Sequence, residues 1–210
     1  RGYNKDDGLR SLSVRAITEA EDGIIYLGTT EGVAWIGGDM RLHLVDDPVI
    51  RECFVDSLCA GTGNVVYGLT KAGELFTLAG GTLMELYHPQ DLGIAGIRAI
   101  LPDTDRSGFI YLGTSGAEIY YGSLDTSFRT VRMYDTNPVS YINSLRRVGD
   151  TVWVCADTGI GCLKDGRFFP LAKLPLSTAV EDMMVDYQGN LWFASSQQGV
   201  MKVVPNQFVD

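Results

Sequence analysis

The sequence predicts an all-β fold, a β-propeller of about five four-stranded antiparallel blades that forms part of a larger propeller. Three observations carry this. A stretch beginning Asp22-Gly23-Ile24-Ile25-Tyr26-Leu27-Gly28-Thr29 and closing on Gly32-Val33 returns four more times, around Tyr67, Tyr111, Trp153 and Trp192. These aromatic markers lie 41, 44, 42 and 39 residues apart, which is the period of one four-stranded blade per repeat. Between them the chain reads as short apolar runs punctuated by glycine turns. A stack of sandwich modules needs about 100 residues per core, and β-helix coils are shorter and lack four successive tight turns, so neither fits.

Taken in order, the blades are expected at residues 14–45, 55–87, 97–134, 142–172 and 180–210. The first has an inner strand near Val14–Ala20, a turn at Asp22-Gly23, a strand Ile24–Thr30, a turn at Glu31-Gly32, a strand Val33–Gly37, a turn at Gly38-Asp39 and an outer strand near Leu42–Val45. The second, with strands near Val55–Ala60, Val65–Thr70, Glu74–Ala79 and Leu83–Tyr87, inverts the marker to Tyr67-Gly68-Leu69. The third carries an insertion, Thr104-Asp105-Arg106-Ser107, in its first turn; the fourth is compact and makes its last turn at Asp165-Gly166. The fifth leaves Gln207-Phe208-Val209 to supply its outer strand. Runs such as Ile24-Ile25-Tyr26-Leu27 and Leu191-Trp192-Phe193-Ala194 are apolar at successive positions, as in strands covered on both faces. Arg1-Gly2-Tyr3 resembles the way later repeats end, at Tyr87 and Tyr134, and is expected to close the outer strand of a missing blade. A chain that starts with Arg1 is accordingly expected to be a piece of something longer.

Seventeen Lys and Arg against 26 Asp and Glu give a formal charge of -9 with no basic stripe, which argues against nucleic acid as a partner. No segment approaches the roughly 18 apolar residues of a membrane span, so membrane attachment is expected only through segments outside this chain. Cys53, Cys59, Cys155 and Cys162 include no CxxC pair, and no metal site is expected. If Thr158-Gly159 is a two-residue turn, Cys155 and Cys162 face each other across a hairpin. The choice there lies between a disulfide and buried thiols used as small apolar filler.

The chemistry-bearing residues point away from catalysis. His43 and His88 have no nucleophile or metal partner at a recognisable spacing, and Gly61-Thr62-Gly63 and Gly80-Gly81 read as hairpin turns with no helix N-terminus behind them. Glu181 and Asp182 are adjacent in a strand, so they are expected on opposite faces. No catalytic residue and no cofactor is assigned. One position does recur: the second residue of every inner strand is polar, namely Arg15, Asp56, Arg98, Asn143 and Glu181. Inner strands line a propeller's channel, so these five are expected to form a ring at one mouth, or to be polar simply because strand starts are solvated. Their mixed signs fit a neutral or zwitterionic polar ligand.

Val14-x-x-Ile17, Glu21-Asp22, Tyr26-Leu27-Gly28-Thr29-x-x-Gly32-Val33 and Asp186-Tyr187-Gln188-Gly189-Asn190-Leu191-Trp192-Phe193-Ala194 together resemble the two-component regulator propeller repeat, and the resemblance runs over nearly the whole chain. It departs at Val154-Cys155-Ala156 and at the inverted second marker. The resemblance implies an extracytoplasmic, non-enzymatic sensor domain of a bacterial signalling protein, attached to a histidine kinase, a hybrid two-component regulator or a diguanylate cyclase. Its partner would be a soluble polar ligand or a partner domain. The alternatives are an interaction scaffold or a lyase- or lactonase-like propeller enzyme. An open array would also leave apolar terminal faces in water, so a homodimer through the terminal blades, or a larger ring, is expected.

Overall fold

Glycine turns and short apolar runs resolve into five antiparallel sheets, each meandering in chain order, in a computed structural model that describes residues 2–204. The first sheet is β1 (Val14–Glu19), β2 (Ile25–Thr29), β3 (Gly32–Ile36) and β4 (Leu42–Leu44); the second is β5 (Val55–Ala60), β6 (Val66–Thr70), β7 (Leu75–Ala79) and β8 (Thr82–Tyr87). The third comprises β9 (Ile97–Pro102), β10 (Phe109–Thr114), β11 (Glu118–Leu124) and β12 (Phe128–Asp135), and the fourth β13 (Ile142–Val148), β14 (Thr151–Ala156), β15 (Gly159–Lys164) and β16 (Arg167–Pro170). The fifth shows β17 (Val180–Val185), β18 (Leu191–Ser195) and β19 (Gly199–Val203) among the described residues. The outer strand expected of Gln207-Phe208-Val209 lies outside them. A 3-10 turn at Lys5–Asp7 and one helical turn at Pro89–Leu92 complete the elements, and the fold is an all-β propeller.

The chain divides into two compact units: residues up to Ala95 with Pro102–Ile110 and Gly122–Arg129, and Gly96–Leu101 with Tyr111–Tyr121 and the residues from Thr130 onward. In the first unit β5 packs on β1 and β2, burying Tyr26, Val33, Val55, Leu58, Val66 and Phe76 between two sheets. A β-carbon on Gly28 would sit 2.7 Å from Val55 Cγ1 and 3.3 Å from Ala16, so a glycine is what lets the inner strands converge. In the second unit β17 packs on β13 and β14, and Gly113 beside Ala99 admits Ile142 with the same 2.7 Å approach. The marker Tyr26 is fully buried, and its hydroxyl accepts the Gly81 N–H at 2.9 Å, tying β2 to the β7–β8 turn. Tyr3 is not in a strand, contrary to expectation. Its ring packs with Leu9 against Leu27, Ala34 and Ile36, because an apolar sheet face beside it needs cover.

The remaining letters of the repeat have local reasons. Asp22 and Asp186 accept N–H groups two residues ahead, at Ile24 and Gln188, forming the side-chain turn that starts the first hairpin. Thr29, Thr70 and Thr114 are buried, and each hydroxyl accepts an N–H from the following hairpin turn, at Glu31, Glu74 and Gly116. The fourth repeat has Ala156 there. Its turn keeps the bond that every repeat makes to the residue just before its inner strand, here the Asp157 N–H donating to the Tyr141 carbonyl at 3.0 Å, and adds the Thr158 hydroxyl donating to the Pro138 carbonyl at 3.1 Å.

That turn corrects the cysteine expectation. Ala156 pairs with Gly159, so the turn residues are Asp157-Thr158, and Cys155 lies opposite Ile160 while Cys162 lies opposite Trp153. All four cysteines are free thiols. Burial pushes the Cys155 thiol up to about 12, only partly opposed by its contact with Ser144.

Candidate functional site

Four of the five polar second positions have a structural cause that no residue pattern displays. Pairing of β1 with β2 steps from Val14 opposite Thr29 to Ala16 opposite Gly28, leaving Arg15 as the extra residue of a β-bulge. The same step leaves out Asp56 in β5, Asn143 in β13 and Glu181 in β17. An unpaired bulge residue is freed from the pleat and re-aimed, which is why bulges recur beside binding sites. Arg98 follows Ile97 in β9 as Arg15 follows Val14, and it is exposed.

Arg15 and Asp56 belong to the first unit, and Arg98, Asn143 and Glu181 to the second. The second set is wired together. Arg98 Nη2 donates to Asn143 Oδ1 at 3.0 Å, while Asn143 Nδ2 donates to Asp157 Oδ1 at 2.7 Å and to the Val180 carbonyl at 3.0 Å. Glu181, next along, accepts the Ser196 hydroxyl at 2.7 Å. The bulge interrupts the alternation expected at Glu181-Asp182, yet the two carboxylates still have separate partners. Asp182 takes a bidentate Arg146 at 2.8 and 2.6 Å; burial pushes its carboxyl up, but the guanidinium and the Met183 N–H outweigh that and hold it below the ordinary range.

Two aromatic residues missed from the sequence complete the arrangement. Tyr141, immediately before β13, is exposed and has φ +57°, a left-handed conformation costly for a residue with a β-carbon. Its N–H donates to the Gly116 carbonyl at 3.2 Å, and its own carbonyl is the acceptor for Asp157. The Arg98 guanidinium lies 5.7 Å from the Tyr141 ring centroid, so the arginine is held between an aromatic face and the Asn143 amide. In the first unit Phe54 stands immediately before β5, with the Arg15 guanidinium 5.8 Å and the Lys71 ammonium 5.0 Å from its ring. The retrospective signal is an arginine at the second inner-strand position followed by an aromatic just before the next inner strand. Asp56 is exposed beside it. Neither histidine is part of this: His43 stacks on Trp35 and contacts Asp39, and His88 contacts Glu74.

Each set offers a cation, a carboxylate and a ring face, and the second adds the Asn143 amide, the complement of a ligand with both donors and acceptors. Among the described residues no group of three or more His, Cys, Asp and Glu side chains could hold a metal ion, and no helix is long and apolar enough to cross a membrane.

No family model matches the chain, and no curated protein matches it in sequence. Solved structures do. The extracellular domain of the hybrid two component system BT3049 from B. thetaiotaomicron matches at 18% identity and TM-score 0.74, over 93% of this chain and 29% of that one. The extracellular domain of the one component system BT4673 from the same organism matches at 17% and 0.68, over 90% and 27%. Virginiamycin B lyase from Staphylococcus aureus, solved in a catalytically inactive form with quinupristin, matches at 14% and 0.68, over 92% and 71%. This chain thus spans under a third of the two extracellular domains. At these identities the likeness establishes the fold, which signalling proteins and an enzyme share.

Proposed function

We propose that this chain is a non-enzymatic sensory module, part of a larger extracytoplasmic propeller in a bacterial signalling protein such as a histidine kinase, a hybrid two-component regulator or a diguanylate cyclase. Its ligand is a soluble, neutral or zwitterionic polar molecule. Arg98, Asn143 and Glu181, with the ring of Tyr141, form the principal binding surface, and Arg15 and Asp56 with Phe54 form the corresponding surface of the first unit. The observation that carries this reading is that Asn143 and Glu181, like Arg15 and Asp56, sit on β-bulges, and that Asn143 is pre-oriented by bonds to the Asp157 carboxylate and the Val180 carbonyl, which lowers the ordering cost of binding. The fold shared with two extracellular domains of signalling systems supports it.

The test is a calorimetric titration of the protein against a panel of small neutral and zwitterionic polar compounds. Binding of at least one member is expected, weakened about tenfold or more by Arg98→Ala and by Tyr141→Ala. Binding that survives both substitutions unchanged, or consumption of a compound by the protein alone, would count against this assignment.

A further inference from the structure

Elsewhere in the chain an arginine beside a carboxylate pairs with it directly: Arg146 grips Asp182 through two bonds, and Arg10 bonds Asp46 at 2.8 Å. The polar cluster of the second unit departs from this habit. Arg98 and Asp157 lie on opposite sides of the Asn143 amide, bonded to its oxygen at 3.0 Å and to its nitrogen at 2.7 Å. Among the described residues Arg98, Asp157 and Glu181 form no ion pair; their partners are the amide, the Tyr141 ring and the Ser196 hydroxyl. A neutral amide satisfies hydrogen bonds on both sides and neutralises neither charge, and it holds a cation and an anion roughly 5–8 Å apart. Asp157 spends Oδ1 on Asn143 and Glu181 spends Oε1 on Ser196, so each keeps a second oxygen that can accept.

We infer that the ligand of this surface is a free α-amino acid, an inference that rests on the sensory reading above and names the ligand class within it. Its carboxylate takes the Arg98 guanidinium, its ammonium takes Asp157 and Glu181, and the exposed Tyr141 ring beside Arg98 covers its side chain. An ammonium and a carboxylate joined through one carbon, with a charge-assisted hydrogen bond at each end, fill the span that Asn143 sets. A longer ω-amino acid has to bend to do so, a lone anion or cation meets one pole only, and a neutral polyol leaves both charges without a counter-charge. Two carboxylates face one guanidinium in a chain of formal charge -9, so an acidic side chain on the ligand is disfavoured.

Calorimetric titration of the protein with free L-α-amino acids, with the methyl ester and the N-acetyl form of the tightest binder, and with neutral polyols tests this. At least one amino acid with an uncharged side chain is expected to bind, aspartate and glutamate more weakly, and masking either the carboxylate or the ammonium should weaken binding about tenfold or more. Arg98→Gln should weaken the free amino acid by a similar factor and leave its methyl ester where it was; Asp157→Asn, which keeps an oxygen for the Asn143 amide, should weaken the free amino acid and leave the N-acetyl form where it was. The masked ligands are read on the wild-type protein, so the test does not depend on either variant folding. A polyol that binds where no amino acid does overturns the inference and leaves the sensory reading standing. Binding of none of these compounds overturns the inference and counts against that reading as well. An ester or N-acetyl form that binds as tightly as the free amino acid overturns the inference alone, because the two charges are then not what is recognised.

Discussion

At the start of β5 and again at the start of β13, an arginine from an inner strand lies over an aromatic ring, yet the two places are held together differently. Arg98 is also bonded to Asn143, and Asn143 to Asp157 and the Val180 carbonyl, with Tyr141 locked at φ +57° between two backbone hydrogen bonds. At the other place Arg15 shares the Phe54 ring with Lys71, and Asp56 stands exposed at the following bulge. One repeat, with one bulge, thus produces a wired polar cluster in the second unit and a looser one in the first. An amide can donate and accept at once, whereas the carboxylate of Asp56 only accepts, so Asn143 can bridge a cation to a carbonyl and Asp56 cannot.

The largest difference between the two places is expected in alkali. Cys155 lies next to the turn that carries Asp157, where the first sheet has Gly28, and burial holds its thiol neutral with the pKa pushed up to about 12. The unfolded thiol ionises near pH 9.0. Between these values the unfolded chain binds fewer protons than the folded one, so the contribution of this group is intact below about pH 9 and is lost as pH rises toward 12. Urea unfolding as a function of pH should show a loss on the order of 4 kcal/mol across that window, and Cys155→Ala should flatten the slope. An unchanged slope would mean that the thiol is not the group responsible.

Removing the bridging amide comes next. Asn143→Ala leaves Arg98, Asp157 and the Val180 carbonyl short of a partner and should cost about 2 kcal/mol in denaturant unfolding. Asp56→Ala, at the matching bulge, should stay within about 0.5 kcal/mol. Equal losses at the two positions would erase the contrast drawn between the units. Tyr26→Phe gives a reference inside the first unit, away from its bulges: losing the bond to the Gly81 N–H should lower stability by about 1 kcal/mol in the same assay. The smallest effect separates the two arginines. Arg98→Ala loses a ring contact and a hydrogen bond, for about 1 kcal/mol, while Arg15→Ala loses the ring contact alone, for about 0.5 kcal/mol. A larger loss at Arg15 would reverse the ranking.

Much of the blade was legible beforehand because its signals are local. The acidic residue and glycine that open the first hairpin, the Gly-Thr that closes the second strand, and the aromatic between them act within a few residues of themselves, so Asp22, Thr29 and Tyr26 could be read as turn, cap and filler. The polar second position was legible as a recurrence, but its cause was not. A bulge is a step in pairing between two strands, and the letters of one strand do not show which partner residue is skipped. The cysteine pairing failed for the same reason: moving the turn from Thr158-Gly159 to Asp157-Thr158 shifts every partner along β14 and β15.

By itself the sequence determined the all-β class, the repeat period, the strands and the recurring polar residue, since each depends on spacing along the chain and on the preferences of glycine, aspartate and aromatic side chains. Tertiary structure alone decided that Arg98 lies over Tyr141, that Asn143 reaches the Val180 carbonyl, and that Tyr3 packs on the first sheet. Those outcomes depend on which residues about 40 positions apart are brought within hydrogen-bonding or van der Waals reach, and that is settled by the packing of one sheet on the next.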